Sequence, residues 1–533
     1  MMHQPNIMGR MEGGNLQGLD VIRGHESGKE VGNPKQDRNG QKRKHETNVW
    51  FMERGHLRIS DVNRGHEPKM RKSLEINETN ERFMGSHWVC LAVLCFGFVA
   101  PFAAEIASTN WVATNLIRGP YLQMGTHTNM IVRWRTDTEQ TTKVRYGLSA
   151  QKLDQTAQGP GKIREHVVLL TGLKFDTTYY YTIGDDDKVL AGGGGKPFAF
   201  TTAPRPGTRQ KVRTWVIGDS GTANASAAAV RDAYEKFNGA RRTDLWLMLG
   251  DNAYPNGTDA EYQKAIFKMY TNMLPRCVLW PTLGNHDSHS ASSATQSGPY
   301  FDIFTLPTLA QAGGLASGTE AYYSYDYANV HFICLDSQDS ERSPSGAMGV
   351  WLRHDLSATQ QDWLVAYFHH PPYTKGSHDS DNVRDSAGRM RDMRQNILPL
   401  LEAGGVDLVL TGHSHAYERS FLIDGYYGKS KTLEPRMLKD KGDGREEGSG
   451  AYRKSKVGPK PHEGAVYTVA GSAGQTSGGK LNHPAMYVSL NVLGSLVLDF
   501  DGARLDAAFL DDRAEIRDRF TVLKGSPSRR GDR

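Results

Sequence analysis

The sequence predicts an α/β domain over residues 211–523, preceded by a small all-β sandwich over residues 109–203. Before the linker Ala203-Pro204-Arg205-Pro206-Gly207, apolar and polar residues alternate in short runs, the period of half-buried strands. After it, strand-like apolar runs alternate with segments whose apolar residues recur at helical spacing, as in an α/β sheet. A length of 533 residues also favours two or three domains over one core. Five polar islands then raise the functional question: Gly218-Asp219-Ser220-Gly221, Gly250-Asp251-Asn252-Ala253-Tyr254, Gly284-Asn285-His286-Asp287, His369-His370-Pro371-Pro372-Tyr373 and Gly412-His413-Ser414-His415. They follow the apolar runs Trp215–Ile217, Leu245–Leu249, Val278–Leu283, Leu364–Phe368 and Val406–Leu410. Successive parallel strands that end in polar residues bring them to one sheet edge, where open α/β folds place their sites.

In chain order, residues 1–87 are rich in Gly, Asn, Arg, Lys, Glu and His and lack an apolar period. Such a segment cannot bury enough surface to offset its chain entropy, and a disordered or mis-called extension is expected. Residues 88–104 read as a signal peptide. The apolar stretch Trp88 to Phe102 has the length of a secretion-signal core and is short for a spanning helix, and the small Ala103 and Ala104 follow. Counted from Met1 the stretch lies too deep; counted from Met70 or Met84 it lies at the usual depth. Residues 1–69, or 1–83, are therefore expected to come from an over-extended reading frame. A secreted, extracellular or periplasmic location follows, with membrane attachment only if the 88–102 segment is an uncleaved anchor.

The net charge of +5 is mild for this length and gives no reason to expect a nucleic-acid partner. Oligomeric state is left open. Cys90 and Cys95 fall in the signal-like segment, while Cys277 and Cys334 sit in or beside apolar runs and read as buried small hydrophobes. A disulfide between the latter two also stays open.

Within the β module, alternation is clearest in Met130–Trp134, Lys143–Tyr146 and His166–Leu170. Leu173, Thr177 and Tyr179 resemble the tyrosine corner of fibronectin type III sandwiches, where a tyrosine hydroxyl ties a strand to nearby backbone. Gly192–Gly195 before Lys196 lacks the spacer and hydroxyl residue of a phosphate loop and reads as a strand connection. In the α/β region, Ala227, Val230, Tyr234 and Phe237 mark a helix, and Thr258 with Glu261 forms a capping box. Ser357 with Gln360 is expected to do the same before Trp363, and Gly404-Gly405 to stop a helix through Ile397–Leu401. Residues 425–462 are Gly-, Lys- and Glu-rich without period and are expected to be a mobile insertion; 524–533 form a polar tail.

The islands carry the donor set of a two-metal hydrolytic site. Phosphoester hydrolysis needs charge neutralised on non-bridging oxygens, a nucleophile, and a proton for the leaving group, and two close cations supply the first two. Asp251 is the candidate bridging carboxylate, with Asp219 on one ion and the neutral oxygen of Asn285 on the other. His369, His413 and His415 add imidazole nitrogens, which suit iron, zinc and manganese better than magnesium or calcium. His370 directly follows His369, so the choice between them rests on position. A phenol ionises near pH 10, so Tyr254 would bind at acid pH only to a strong Lewis acid such as Fe(III), which would also acidify its bound water. Taken singly, Asp and Asn at such turns are ordinary capping residues; their joint order is what points to metal.

With its Gly-Asp-x-Gly, Gly-Asp-x-x-Tyr, Gly-Asn-His-Asp, strand-His and Gly-His-x-His motifs, residues 110–523 resemble the purple acid phosphatases of the calcineurin-like metallophosphoesterase superfamily. The resemblance implies a four-layer β-sandwich flanked by helices for the α/β domain. It implies that Asp219, Tyr254 and His415 bind Fe(III), that Asn285, His369 and His413 bind a divalent ion (Zn, Fe or Mn), and that Asp251 bridges. It also implies that His286 contacts phosphate and that His378, nine residues after His369, is a general acid. The second histidine that plant-type members carry there is replaced by Asp379, and Asp287 stands where glutamate is commoner. His289, His331 and His354 join no constellation.

The expected activity is a secreted acid phosphatase cleaving small-molecule phosphate monoesters by in-line attack of metal-bound hydroxide. A phosphodiesterase of the same superfamily and a binding protein with a vestigial metal site are the alternatives. Loops 288–320, 338–356 and 374–395 are expected to wall the pocket.

Overall fold

The computed structural model describes residues 111–112 and 115–525. The signal-like segment 88–104, the extension before it and the tail beyond Gly525 lie outside the described residues. Strands Leu116–Gln123, Met130–Gly147, Gln155–Leu170, Thr178–Gly184, Val189–Gly193 and Phe198–Thr201 build an antiparallel module. Its corner forms as the sequence predicts: the Tyr179 hydroxyl accepts the backbone N–H of Lys174 at 2.9 Å. Met130–Trp134 departs from the expected alternation, being buried at every position. The cause is tertiary: Arg133, the polar member, donates to Thr305 Oγ1 at 2.9 Å and the Asp302 carbonyl at 2.6 Å, so its face packs on the catalytic region.

The β module and the α/β region share one sheet. Leu122 pairs in parallel with Val278, so the sheet passes from the module into Val278–Pro281, Leu245–Met248, Val212–Ile217 and Gly494–Asp501. A second sheet runs Tyr323–Tyr327, Val330–Cys334, Trp363–Phe368, Leu408–Thr411, Val466–Ala470, Tyr417–Ser420, Met486–Leu490. The sheets pack face to face through aromatic contacts, Trp280 on Tyr325 at 3.8 Å, Trp363 on Phe500 at 5.7 Å and Tyr417 on Phe509 at 3.9 Å between ring centres. Helix Ala225–Asn238 covers the outer face of the first sheet, with Tyr234 stacked 4.5 Å from Trp215. Helices Ala347–Ala358 and Leu398–Gly404 pack together, Leu356 lying against Gly404, to complete the helical layers. Coverage on both faces is why Trp363–Phe368 and Leu408–Thr411 are continuous apolar runs rather than alternating ones.

The predicted helix signals are partly corrected. Ala225–Asn238 buries Ala227, Val230 and Tyr234; Thr258 and Glu261 cap each other; Gly405, at φ 84°, ends Leu398–Gly404. Ser357 starts no helix. It lies in the last turn of Ala347–Ala358, its hydroxyl on the His354 carbonyl, and Trp363 opens a strand. The apolar spacing Met348, Trp351, Leu352, Leu356 outweighs that local Ser/Gln signal. Residues 425–462 are not a structureless insertion: Leu438–Asp440 pairs with Leu422–Ile423, and Tyr452–Lys454 pairs in parallel with Ile516–Lys524. Lys454 and Lys524 both reach the buried Asp407 carboxylate, at 2.6 and 2.8 Å. A short strand and one buried lysine in a polar stretch are too sparse to show as a period. Cys277 and Cys334 are buried free thiols.

Candidate metal centre

The five islands come from two sheets rather than one. Asp219, Asp251 and Asn285 follow parallel strands of the first sheet, and His369 and His413 follow parallel strands of the second. The strand ends of both sheets meet at one edge of the sandwich, where the His413 N–H donates to Asp219 Oδ2 at 2.7 Å and the Ala473 N–H to Gly218 O at 3.2 Å. Close approach demands glycine at the contact: a Cβ at Gly284 would fall 2.1 Å from Asp251 N. Asp219, Asp251 and His413 hold left-handed backbone, φ 56°, 52° and 67°. Non-glycine residues in that region are strained, and such strain gathers at functional sites.

Two clusters of ligand atoms result, and Asp251 belongs to both. In the first, the Tyr254 hydroxyl lies 3.2 Å from Asp219 Oδ1, 3.0 Å from Asp251 Oδ2 and 3.3 Å from His415 Nε2. In the second, His369 Nε2 lies 3.0 Å from Asn285 Oδ1, 3.4 Å from Asp251 Oδ1 and 3.1 Å from His413 Nδ1. Partners behind the rings decide which nitrogens face inward. His369 Nδ1 donates to the Leu249 carbonyl at 2.8 Å, and His286 Nδ1 to the Pro255 carbonyl at 2.6 Å, so each turns Nε2 toward the centre. His415 Nδ1 is held by Ser477 Oγ at 2.8 Å.

With its Nδ1–H given to Leu249, a neutral His369 turns an Nε2 lone pair toward Asn285 Oδ1 and Asp251 Oδ1, where the chain sets only the His286 backbone N–H, 2.9 Å from Asp251 Oδ1. Buried acceptors facing one another need a cation between them. The electrostatics of the buried groups point the same way. Burial alone would lower the His369 imidazole, but the Asp251 and Asp219 charges outweigh it and raise it to about 9. Burial likewise opposes ionisation of Asp251, yet the His369 and His286 rings draw it down to about 2. Burial and the two carboxylates push the Tyr254 phenol well above its usual range, so in acid only a strongly charged ion would hold it as phenolate. Carboxylate, amide oxygen, imidazole and phenol together fit two transition-metal ions, and Asp219, Asp251 and His369 already group within ligating distance of one another.

His370 sits against the second cluster, within ligating reach of His369 and His413 and 4.4 Å from the His413 ring centre, but its Nδ1 is engaged elsewhere. Its backbone N–H and Nδ1 engage Ser337 Oγ at 3.0 and 2.9 Å, and burial beside His369 holds its ring well below the usual histidine range. His378 stacks on His413, ring centres 3.9 Å apart, and its Nδ1 lies 2.8 Å from Asp385 Oδ1. His286 Nε2 is 3.9 Å from Asp251 Oδ2. Asp287 points away from the centre and braces it, accepting from Gly284 N at 2.9 Å, Asn252 N at 3.2 Å and the Tyr262 hydroxyl. Burial and Asp251 lift its carboxyl to about 6.

Some site residues carry no signal in the sequence. Ser477 supports His415, Gln475 Nε2 stands 3.4 Å from His415 Nε2, and Asp385 and Ser386 back His378 and His413. Of the expected wall loops, Gln338 bridges Ser288 Oγ at 2.9 Å to the Arg389 guanidinium at 2.8 Å. The segment carrying Gln475 and Ser477 is a further wall that was not expected.

Residues 212–417 match the calcineurin-like phosphoesterase family, and residues 117–202 match the purple acid phosphatase N-terminal domain. The chain is 28% identical over 357 residues to purple acid phosphatase 18 of Arabidopsis thaliana, spanning 63% of this chain and 74% of that protein. It is 29% identical over 318 residues to a phosphoenolpyruvate phosphatase of Allium cepa, spanning 55% and 60%. Among solved structures it shares a fold with the purple acid phosphatase PPD1 from yellow lupin seeds, at TM-score 0.56 and 16% identity over 76% of this chain and 74% of that one. The chain thus carries a calcineurin-like phosphoesterase domain behind a purple acid phosphatase N-terminal domain, and its curated relatives include purple acid phosphatases.

Proposed function

We propose that the chain is a secreted acid phosphatase that hydrolyses small-molecule phosphate monoesters at a dinuclear metal centre. The observation that carries the reading is the sharing of Asp251 between two clusters of ligand atoms. Asp219, Tyr254 and His415 would hold Fe(III), Asn285, His369 and His413 a divalent ion, and Asp251 both. When bound, such a pair neutralises phosphate oxygens and acidifies the attacking water. The chain's own groups do the rest. His286, fixed through Nδ1 on Pro255 O, presents Nε2 to a phosphate oxygen on the Asp251 side. His378, fixed through Nδ1 on Asp385, offers its other nitrogen as proton donor to the leaving oxygen, opposite the incoming water. Buried walls around Asp219, Asp251 and His369 limit bulk water there and strengthen each charge interaction. Secretion is proposed from the signal-like stretch at 88–104. Among the described residues no helix is long and apolar enough to cross a membrane.

Steady-state hydrolysis of a chromogenic monoester and its matching diester, from about pH 4 to about pH 9, tests the proposal. Faster monoester turnover with an acidic optimum supports it; a diester preference assigns a phosphodiesterase instead, and silence on both removes the enzyme reading.

A further inference from the structure

The turn after Arg384 is the most strained stretch near the centre. Ser386 and Ala387 take φ 52° with ψ 33° and 32°, and Gly388 follows at φ 83°. Left-handed backbone is unfavourable for a non-glycine residue, so two in succession persist only where their surroundings hold them. Arg389 supplies that hold, with Nη1 on the Ser386 carbonyl at 3.1 Å and Nε on the Gln338 carbonyl at 2.8 Å.

The strained turn delivers two side chains to two histidines. Asp385 Oδ2 accepts the Asp379 N–H at 2.9 Å, while Oδ1 faces His378 Nδ1 at 2.8 Å and accepts the Ser386 hydroxyl at 2.9 Å. Ser386 Oγ lies 2.6 Å from His413 Nε2. A serine has one hydroxyl proton, and here Asp385 takes it. The Ser386 oxygen must therefore accept from His413 Nε2–H, which leaves the lone pair of His413 on Nδ1, the nitrogen that faces His369 and the second ligand cluster. Asp385 likewise holds the Nδ1–H of His378, so the proton His378 gives to the leaving oxygen is the one on its other ring nitrogen, which stays free of Asp385.

We propose that Asp385 and Ser386 are a positioning pair for hydrolysis: from one strained turn they fix the ligating nitrogen of His413 and the orientation of His378. The pair touches neither substrate nor ions. The inference rests on reading His413 as a ligand and His378 as a proton donor, and it adds the device that couples the two.

Full-length protein loaded with both metals provides the test. Divalent-ion affinity is read by competition with a chromogenic zinc chelator, and kcat and KM are read on monoesters with good and poor leaving groups. Ser386→Ala should weaken divalent-ion affinity about 10- to 100-fold, the usual cost of losing a partner behind a metal ligand. Ser386→Gly should lose as much although it relieves the backbone, and it carries the same test should Ser386→Ala not fold. Asp385→Asn should lower kcat more for poor than for good leaving groups, with little change in KM. Wild-type divalent affinity in a folded Ser386 variant, or equal losses across leaving groups in Asp385→Asn, overturns the pair's role. In either case wild type holding two ions leaves the metal-centre reading intact; wild type binding no zinc overturns both.

Discussion

Gly412→Ala perturbs the centre by one methyl group. A Cβ there would lie 2.5 Å from Asp219 Oδ2 and 2.8 Å from the Leu249 carbonyl, whereas ordinary contact begins near 3.4 Å. The Leu249 carbonyl is pinned by His369 Nδ1 at 2.8 Å, so the carboxylate is the softer neighbour. It must retreat by about 0.9 Å, and Oδ2 cannot swing freely because it accepts the His413 N–H at 2.7 Å. Misplacing a catalytic group by about 1 Å costs on the order of 100-fold in rate, or about 2.7 kcal/mol. Overpacking costs a further ~1–3 kcal/mol of stability, which a metal-loaded melting curve separates from the kinetic loss. The assay is kcat/KM on a chromogenic monoester together with metal ions bound per chain. A folded Gly412→Ala protein with wild-type rate and a full complement of metal would refute the placement of Asp219 as a ligand.

Two other outcomes follow from buried groups. Burial opposes the His331 proton, but Asp326 at 2.8 Å and Asp355 at 2.9 Å outweigh it and raise the ring from 6.5 to about 9. A proton bound more tightly in the folded chain stabilises fully below about pH 6.5, and that stability, about 3 kcal/mol, is lost as pH rises through about 9. Urea midpoints should fall over that window in wild type and fall less in Asp326→Asn. Tyr254→Phe should abolish the visible absorption of the iron-loaded protein and weaken iron retention while zinc binding at the His369 cluster persists. Unchanged absorption would remove the phenol from the ligand set.

Much of the centre was legible because each island packs its donors into a few residues after an apolar run. Gly412-His413-Ser414-His415 announces two imidazoles, a tight turn and a strand end in four letters. The division of the islands between two sheets was not legible, since an apolar run says that a strand is covered on both faces but not which strand lies beside it. The helpers were invisible for a related reason. Ser386 lies 27 residues from the His413 it supports, and Ser477 lies 62 from His415, in loops whose composition has no period. Ser357 misled because a capping pattern is local, and the packing of Trp351 and Leu352 overrode it. Tyr452 and Lys454 were hidden inside a polar stretch because a parallel strand pair and one buried carboxylate suffice to order it.

The central claim is that Asp251 serves two ions at once. Elemental analysis of the purified protein, wild type against Asp251→Ala, tests it most directly, with circular dichroism confirming that both are folded. The account predicts two transition-metal ions per wild-type chain, one of them iron, and loss of both from the variant. A folded wild-type chain that holds one ion or none after incubation with iron and zinc, or an Asp251→Ala chain that keeps two, would contradict it.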